Sequence, residues 1–126
     1  MTTRKQRTAL GDAGESHALR SLEAHGHRLV ARNWQCQAGE LDLVTLDGEI
    51  LVFTEVKTRR GERAGRADDA ISAAKGRRLL ATGEWFVAEH PEHQERIWRV
   101  DLVAIAIDET TGRVTIRHFE NAIVTG

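Results

Sequence analysis

The sequence predicts an α/β fold, a mixed central sheet flanked by helices in the order αβββαββ. Three observations predict it. Apolar residues recur at helical spacing in two separate segments, near residues 12–25 and 71–89. Two alternating runs, Glu40 to Leu46 and Glu49 to Lys57, flank the turn dipeptide Asp47-Gly48. Two further strand-like runs, Trp98 to Ile107 and Val114 to Phe119, lie on either side of the polar stretch Asp108 to Gly112.

Taken in order, the first helix runs from Asp12 to about His25, with Ala18, Leu19 and Leu22 three and four residues apart and Gly26 where a C-terminal cap belongs. Residues 27–34 alternate as a strand, and Asn33 to Gly39 forms a polar connection to the hairpin. Arg59 to Arg66 holds two glycines and four arginines and no apolar side chain larger than alanine, so it reads as a basic loop. Asp68 or Asp69 then caps a second helix through Ile71, Ala74, Leu79, Trp85 and Phe86 to about Glu89, closed by His90 and Pro91. Gly76 and Gly83 are poor interior residues for that helix.

At 126 residues, without repeats or a linker, the chain is expected to form one domain, with residues 1–10 as an N-terminal arm. No apolar run approaches the ~20 residues of a membrane span. The basic start lacks the apolar stretch of a secretory signal, so a cytoplasmic location is expected. The lone Cys36 makes no internal disulfide and has no partner at zinc-ligand spacing. Net charge is -1, but residues 57–78 carry eight Lys and Arg against three acids. That segment, with Arg59, Arg60, Arg63, Arg66, Lys75, Arg77 and Arg78, is either a nucleic-acid-binding surface or a solvated loop and helix face.

If Asp47-Gly48 is the two-residue loop, Asp42 lies opposite Phe53 and Glu40 opposite Glu55. Glu40, Asp42, Val44 and Leu46 then share a face with Leu51, Phe53, Glu55 and Lys57, while Leu41, Leu43 and Thr45 take the other. Both faces are mostly apolar, as in a central pair covered on both sides. Like charges across a half-buried pair are costly, and a protonated carboxyl, Lys57 or a divalent cation would offset them. A Mg²⁺ or Mn²⁺ ion held by Asp42 and Glu55, with Glu40 nearby, is the economical solution, and its bound water is the natural attacker of a phosphodiester. Lys57 would bind the scissile phosphate or position that water. Glu15 lies on the stripe of Ala18, Leu19 and Leu22, facing the sheet as a further site acid or serving the helix dipole.

Asp42, twelve residues, then Glu55-Val56-Lys57 resembles the core motif of the PD-(D/E)xK restriction-endonuclease-like superfamily. Together with Glu15, Gly39-Glu40-Leu41-Asp42, the basic loop, Lys75 and Arg99-Val100-Asp101, the chain looks like the YraN-like family over nearly its whole length. The resemblance implies a restriction-endonuclease-like fold related to Holliday junction resolvases. It also implies a Mg²⁺-dependent nuclease site with Asp42 and Glu55 as metal ligands, Lys57 as the catalytic lysine and Glu15 as the helix-borne acid. Leu41 stands where the motif has proline. Lys75 would contact phosphate or be an exposed helix lysine, and Arg99 with Asp101 reads as a structural same-face pair.

His25 and His27 sit at a helix end and read as caps, and Trp34, Trp85 and Trp98 as packing rather than base stacking. Three functions follow. One is a metal-dependent nuclease on DNA, preferred over RNA, with branched or damaged DNA cut by a homodimer as one form of it. The second is a non-catalytic nucleic-acid-binding accessory protein. The third is an interaction protein whose hairpin acids pair with arginines of the 59–66 loop.

Overall fold

The structure, a computed structural model, describes residues 7–61 and 70–123. In chain order these form α1 (Ala9–Ala24), β1 (Arg28–Cys36), β2 (Gly39–Asp47), β3 (Ile50–Arg60), α2 (Ala73–Glu89), a 3-10 turn (Pro91–His93), β4 (Trp98–Asp108) and β5 (Arg113–Phe119). The five strands lie in sequence order, antiparallel throughout except for the parallel pair β3 and β4. A parallel pair needs a crossover, and α2 supplies it. No helix among the described residues is long and apolar enough to cross a membrane.

Each face of the sheet carries its own core. Leu79 and Phe86 of α2 pack with Val44, Leu46, Leu51, Phe53 and Val100. Ala18 and Leu22 of α1 pack with Leu43, Val56, Val103 and Ile105. The central strands are therefore covered on both sides, which is why β2 to β4 read as nearly continuous apolar runs.

Both helix starts differ from the sequence expectation. α1 begins at Ala9, three residues before Asp12, because Thr8 caps it with Oγ1 accepting from Gly11 N–H at 2.9 Å. Residues 8–10 thus belong to the cap and first turn rather than to an arm, and Asp12 becomes a first-turn acid that suits the helix dipole. α2 is capped by Ser72, whose Oγ accepts from Lys75 N–H at 3.2 Å, so neither Asp68 nor Asp69 performs that role; both lie outside the described residues, as do Arg63 and Arg66.

The hairpin register is also corrected. Asp47 pairs with Ile50 and Val44 with Phe53, so the turn residues are Gly48 and Glu49, and every partner moves by two from the expected register. Gly48 holds φ +61°, the left-handed conformation that a tight hairpin takes at its first central position with glycine. An even shift preserves sidedness, and Val44, Leu46, Leu51 and Phe53 do share the α2 face. Leu41 departs from the expected alternation: it joins the α2 core with Trp34, while Leu43 stays in the α1 core. Between them β1 carries Asn33 at φ +55°, which breaks its alternation beside Asp42.

Gly83 explains its own place inside α2. A Cβ there would lie 2.8 Å from Phe53 Cε2 and 3.0 Å from Trp98 Cζ3, so the missing side chain is what lets the helix settle on those rings. We expect Gly83→Ala to lower stability by about 1–2 kcal/mol, overpacking exceeding the gain in helix propensity. A fall in the urea midpoint at unchanged slope checks it.

Candidate functional site

The candidate site forms where the sheet forks. Pairing between β2 and β3 runs from Asp47 and Ile50 to Leu43 and Thr54, whereas β2 continues along β1 to Gly39 and β3 continues along β4 to Arg60. At the parting point Val56 N–H donates to Asp42 Oδ2 at 2.8 Å. A side-chain oxygen replaces the backbone acceptor that a continued ladder would have offered. Extended by one pair, the register sets Asp42 opposite Glu55, and the two carboxyls do hydrogen-bond to each other.

Asp42 is 1% exposed and Glu55 is largely buried. Burial, followed by the neighbouring Asp42 charge and the hydrogen bond to it, pushes the Glu55 carboxyl up to about 7, while Lys75 pulls the other way. Lys75, in the first turn of α2, sets Nζ 2.8 Å from Glu55 Oε2. Lys57, two residues after Glu55, is half-buried on β3 with Ala104 as its β4 neighbour. The ion pair from Lys75 escaped the sequence reading, although a serine cap at Ser72 is the signal that would have put Lys75 in a first turn above β3.

Glu40 does not face Glu55. Its Oε1 takes a fork from Arg7 at 3.3 and 3.4 Å, and its buried Oε2 has no hydrogen-bond partner. Glu15 is buried beneath α1, where Oε1 accepts from Asn33 Nδ2 at 3.2 Å and lies 3.6 Å from Arg32 Nε. Glu15 and Arg7 line a cavity of about 190 Å³ with Asp12, Val56 and Thr58, on the α1 side of the fork. Among the described residues no three of His, Cys, Asp and Glu come together as an ion-holding group. The structure thus joins Asp42, Glu55 and Lys75, and holds Glu40 and Glu15 by separate partners.

The basic segment is divided. Arg77 and Arg78 are exposed on α2, Arg59 is half-buried, and Arg60 pairs with Glu109 at 2.9 Å. Among the described residues Glu40 pairs with Arg7 and Glu55 with Lys75, while Arg63 and Arg66 lie outside them. His25 caps α1, its Nδ1 donating to Ser21 O at 2.8 Å, whereas His27 leaves the helix end and meets Thr45 Oγ1 at 2.8 Å. Trp34 and Trp98 pack edge-on against Phe86 and Phe53, and Trp85 is exposed.

Arg99 and Asp101 form a same-face fork at 2.9 and 3.2 Å, and His118 Nε2 and Asn121 N–H complete the Asp101 carboxylate at 2.7 and 3.0 Å. Burial alone would raise the Asp101 pKa; the hydrogen bonds from His118, Arg99 and Asn121 outweigh it and hold the carboxyl below the ordinary 3.8. A depressed native value stabilises the fold above the unfolded pKa and stops doing so as pH falls through the native one. Asp101→Asn should therefore cost about 3 kcal/mol near neutral pH. The gap from wild type should close as denaturation is followed below pH 3.8. Glu55 has the opposite sign. Its native value lies above the ordinary 4.5, so its ionisation costs stability as pH rises from 4.5 to about 7. Glu55→Gln should raise the urea midpoint at pH 8 by more than at pH 5.

Curated relatives match along most of their length. A UPF0102 protein of Roseiflexus castenholzii is 42% identical over 118 residues, covering 94% of this chain and 95% of that one. UPF0102 proteins of Frankia casuarinae and Pelotomaculum thermopropionicum are likewise 42% identical, over 118 and 117 residues, covering 94% and 92% of this chain and 98% and 96% of theirs. Among solved structures, Pyrococcus furiosus SfsA in complex with Ca²⁺ is 17% identical at a TM-score of 0.37, covering 92% of this chain. The chain spans 64% of that protein's length. A family model described as uncharacterised protein family UPF0102 matches residues 14–105, from Gly14 inside α1 to Ile105 in β4, and the chain belongs to that family.

Proposed function

We propose that this chain is a divalent-metal-dependent phosphodiesterase acting on DNA, with a restriction-endonuclease-like fold of the PD-(D/E)xK kind related to Holliday junction resolvases. One observation carries the reading: two carboxyls from two strands, buried and hydrogen-bonded to each other, stand at the fork of the sheet beside a lysine-bearing helix. A buried carboxyl whose pKa is raised by burial and by a neighbouring acid, as at Glu55, is typical of functional sites.

The residues fit a hard cation. Mg²⁺ keeps several waters and is commonly held through one or two carboxylates, so Asp42 and Glu55 suffice as its protein ligands. The unpartnered Oε2 of Glu40 is a further acceptor close by in β2. When bound, such an ion supplies an acidified water and neutralises charge on the phosphate. The chain's own groups do the rest. Asp42, tied to Val56 N–H, cannot swing out of the fork. Lys57 is the point charge for the scissile phosphate, and Glu15 with Arg7 lines the adjoining cavity on the α1 side. Exposed Arg77 and Arg78 dock the DNA backbone.

A second reading has one observation in its favour. Lys75 already neutralises Glu55, so the cluster can persist without an ion in a non-catalytic nucleic-acid-binding protein.

Calorimetry with Mn²⁺ should show binding in the native protein that Asp42→Ala and Glu55→Ala abolish; equal absence in all three would remove the metal site. Labelled linear, flapped and four-way-junction DNA, incubated with Mn²⁺, should be cleaved in a manner lost in Lys57→Ala, and retention without cleavage selects the accessory role. DNA affinity should fall steeply with salt, and Arg77→Ala should reduce the slope of log K against log salt by about 0.9. A salt-independent affinity counts against the docking surface.

A further inference from the structure

Lys75 stands in a place that the proposed chemistry must vacate. Its Nζ contacts Glu55 Oε2 at 2.8 Å, one of the oxygens through which that residue would hold an ion. Two like cations cannot share one carboxylate oxygen in a largely desolvated site at the cost they would pay in water. Ion binding at Glu55 therefore requires the ammonium to leave or the ion to stay out.

The local structure makes leaving easy. Lys75 projects from the first turn of α2, its side chain is 38% exposed, and its backbone is anchored independently by Ser72. A lysine is a hydrated point charge on a flexible four-carbon stem and binds a carboxylate without the two-point fork that fixes arginine. Arg77 and Arg78 follow within one helical turn and are exposed, so a released ammonium joins a cationic surface on that helix.

Resting on the metal-dependent reading above, we infer that Lys75 is a displaceable counter-cation: it neutralises the Asp42 and Glu55 pair in the metal-free protein, and a divalent ion displaces it toward the phosphate of a bound nucleic acid. The same residue thereby holds the empty cluster together and joins the docking surface when the ion is present. Metal loading and backbone binding become coupled, and coupling between two sites is reciprocal. Lys75 is on this account a positioning and docking residue.

The chain has three lysines, Lys5, Lys57 and Lys75, so protein labelled with ¹³Cε-lysine gives three resolvable signals, assigned by substituting each in turn. Titration of the full-length protein with Mg²⁺ should move the Lys75 signal toward that of a solvated lysine. In parallel, Mn²⁺ calorimetry should find Lys75→Met binding about five- to tenfold tighter than the native protein. Native binding with an unmoved Lys75 signal, or with Lys75→Met no tighter, overturns the inference and leaves the metal-dependent reading standing. Binding in Lys75→Met but not in the native protein overturns it too, since the ammonium then excludes the ion instead of yielding to it. Binding in neither overturns both.

Discussion

The hydrogen bond from Val56 N–H to Asp42 Oδ2 is the contact on which the candidate site depends. A central β3 strand has to satisfy its backbone donors on both edges, and past Thr54 its β2 neighbour turns away with β1. An unsatisfied buried N–H would cost roughly 1–3 kcal/mol. The Asp42 carboxylate takes that donor, and so a side chain of the candidate site is fixed by the same bond that completes the sheet. Glu55, one residue earlier on β3, then meets Asp42 across the opening. The fork is thus both the structural solution to a diverging pair and the reason two acids share one dry place.

Much of this was legible in the sequence because it rests on local pattern. The alternating runs around Asp47-Gly48 defined the hairpin, and the identity of its acids followed from counting along two strands. What failed was the partner of each residue. The expected loop was Asp47-Gly48, but glycine's left-handed freedom is used at the first turn position, leaving Glu49 as the second. A slip of two residues is invisible to a period-two pattern, since it moves no side chain across the sheet. It exchanges Glu40 for Asp42 opposite Glu55, and that exchange decides which acids touch.

Other parts were illegible for a different reason. The partners of Glu40 and Glu55, Arg7 and Lys75, come from the turn before α1 and from the start of α2, 33 and 20 residues away along the chain. Nothing in local periodicity says which end of a helix lies over which end of a strand. Gly83 shows the converse case: read locally it weakens α2, yet in three dimensions it is what admits the Phe53 and Trp98 rings. A serine and an acid satisfy the same capping geometry, so the sequence before α2 admits Asp68, Asp69 and Ser72 alike.

Two buried acids in one sheet show where structure ends and chemistry begins. Asp101 is fully enclosed, yet Arg99, His118 and the Asn121 N–H saturate its oxygens, and its charge is more comfortable in the fold than in water. Glu55 is largely buried, but its neighbour is another carboxyl and, among the described residues, its short cationic contact comes from a half-exposed lysine. Glu40, two residues before Asp42 on β2, keeps a buried oxygen with no partner. Selection for stability alone would drive the second cluster toward the first, by an arginine fork or by apolar replacement, since well-packed hydrophobic residues commonly match or exceed a buried ion pair. The fold knows how to neutralise a buried carboxylate and does so at Asp101. At the fork the neutralising contact to Glu55 is instead a half-exposed lysine, and buried acids held this loosely cluster at functional sites.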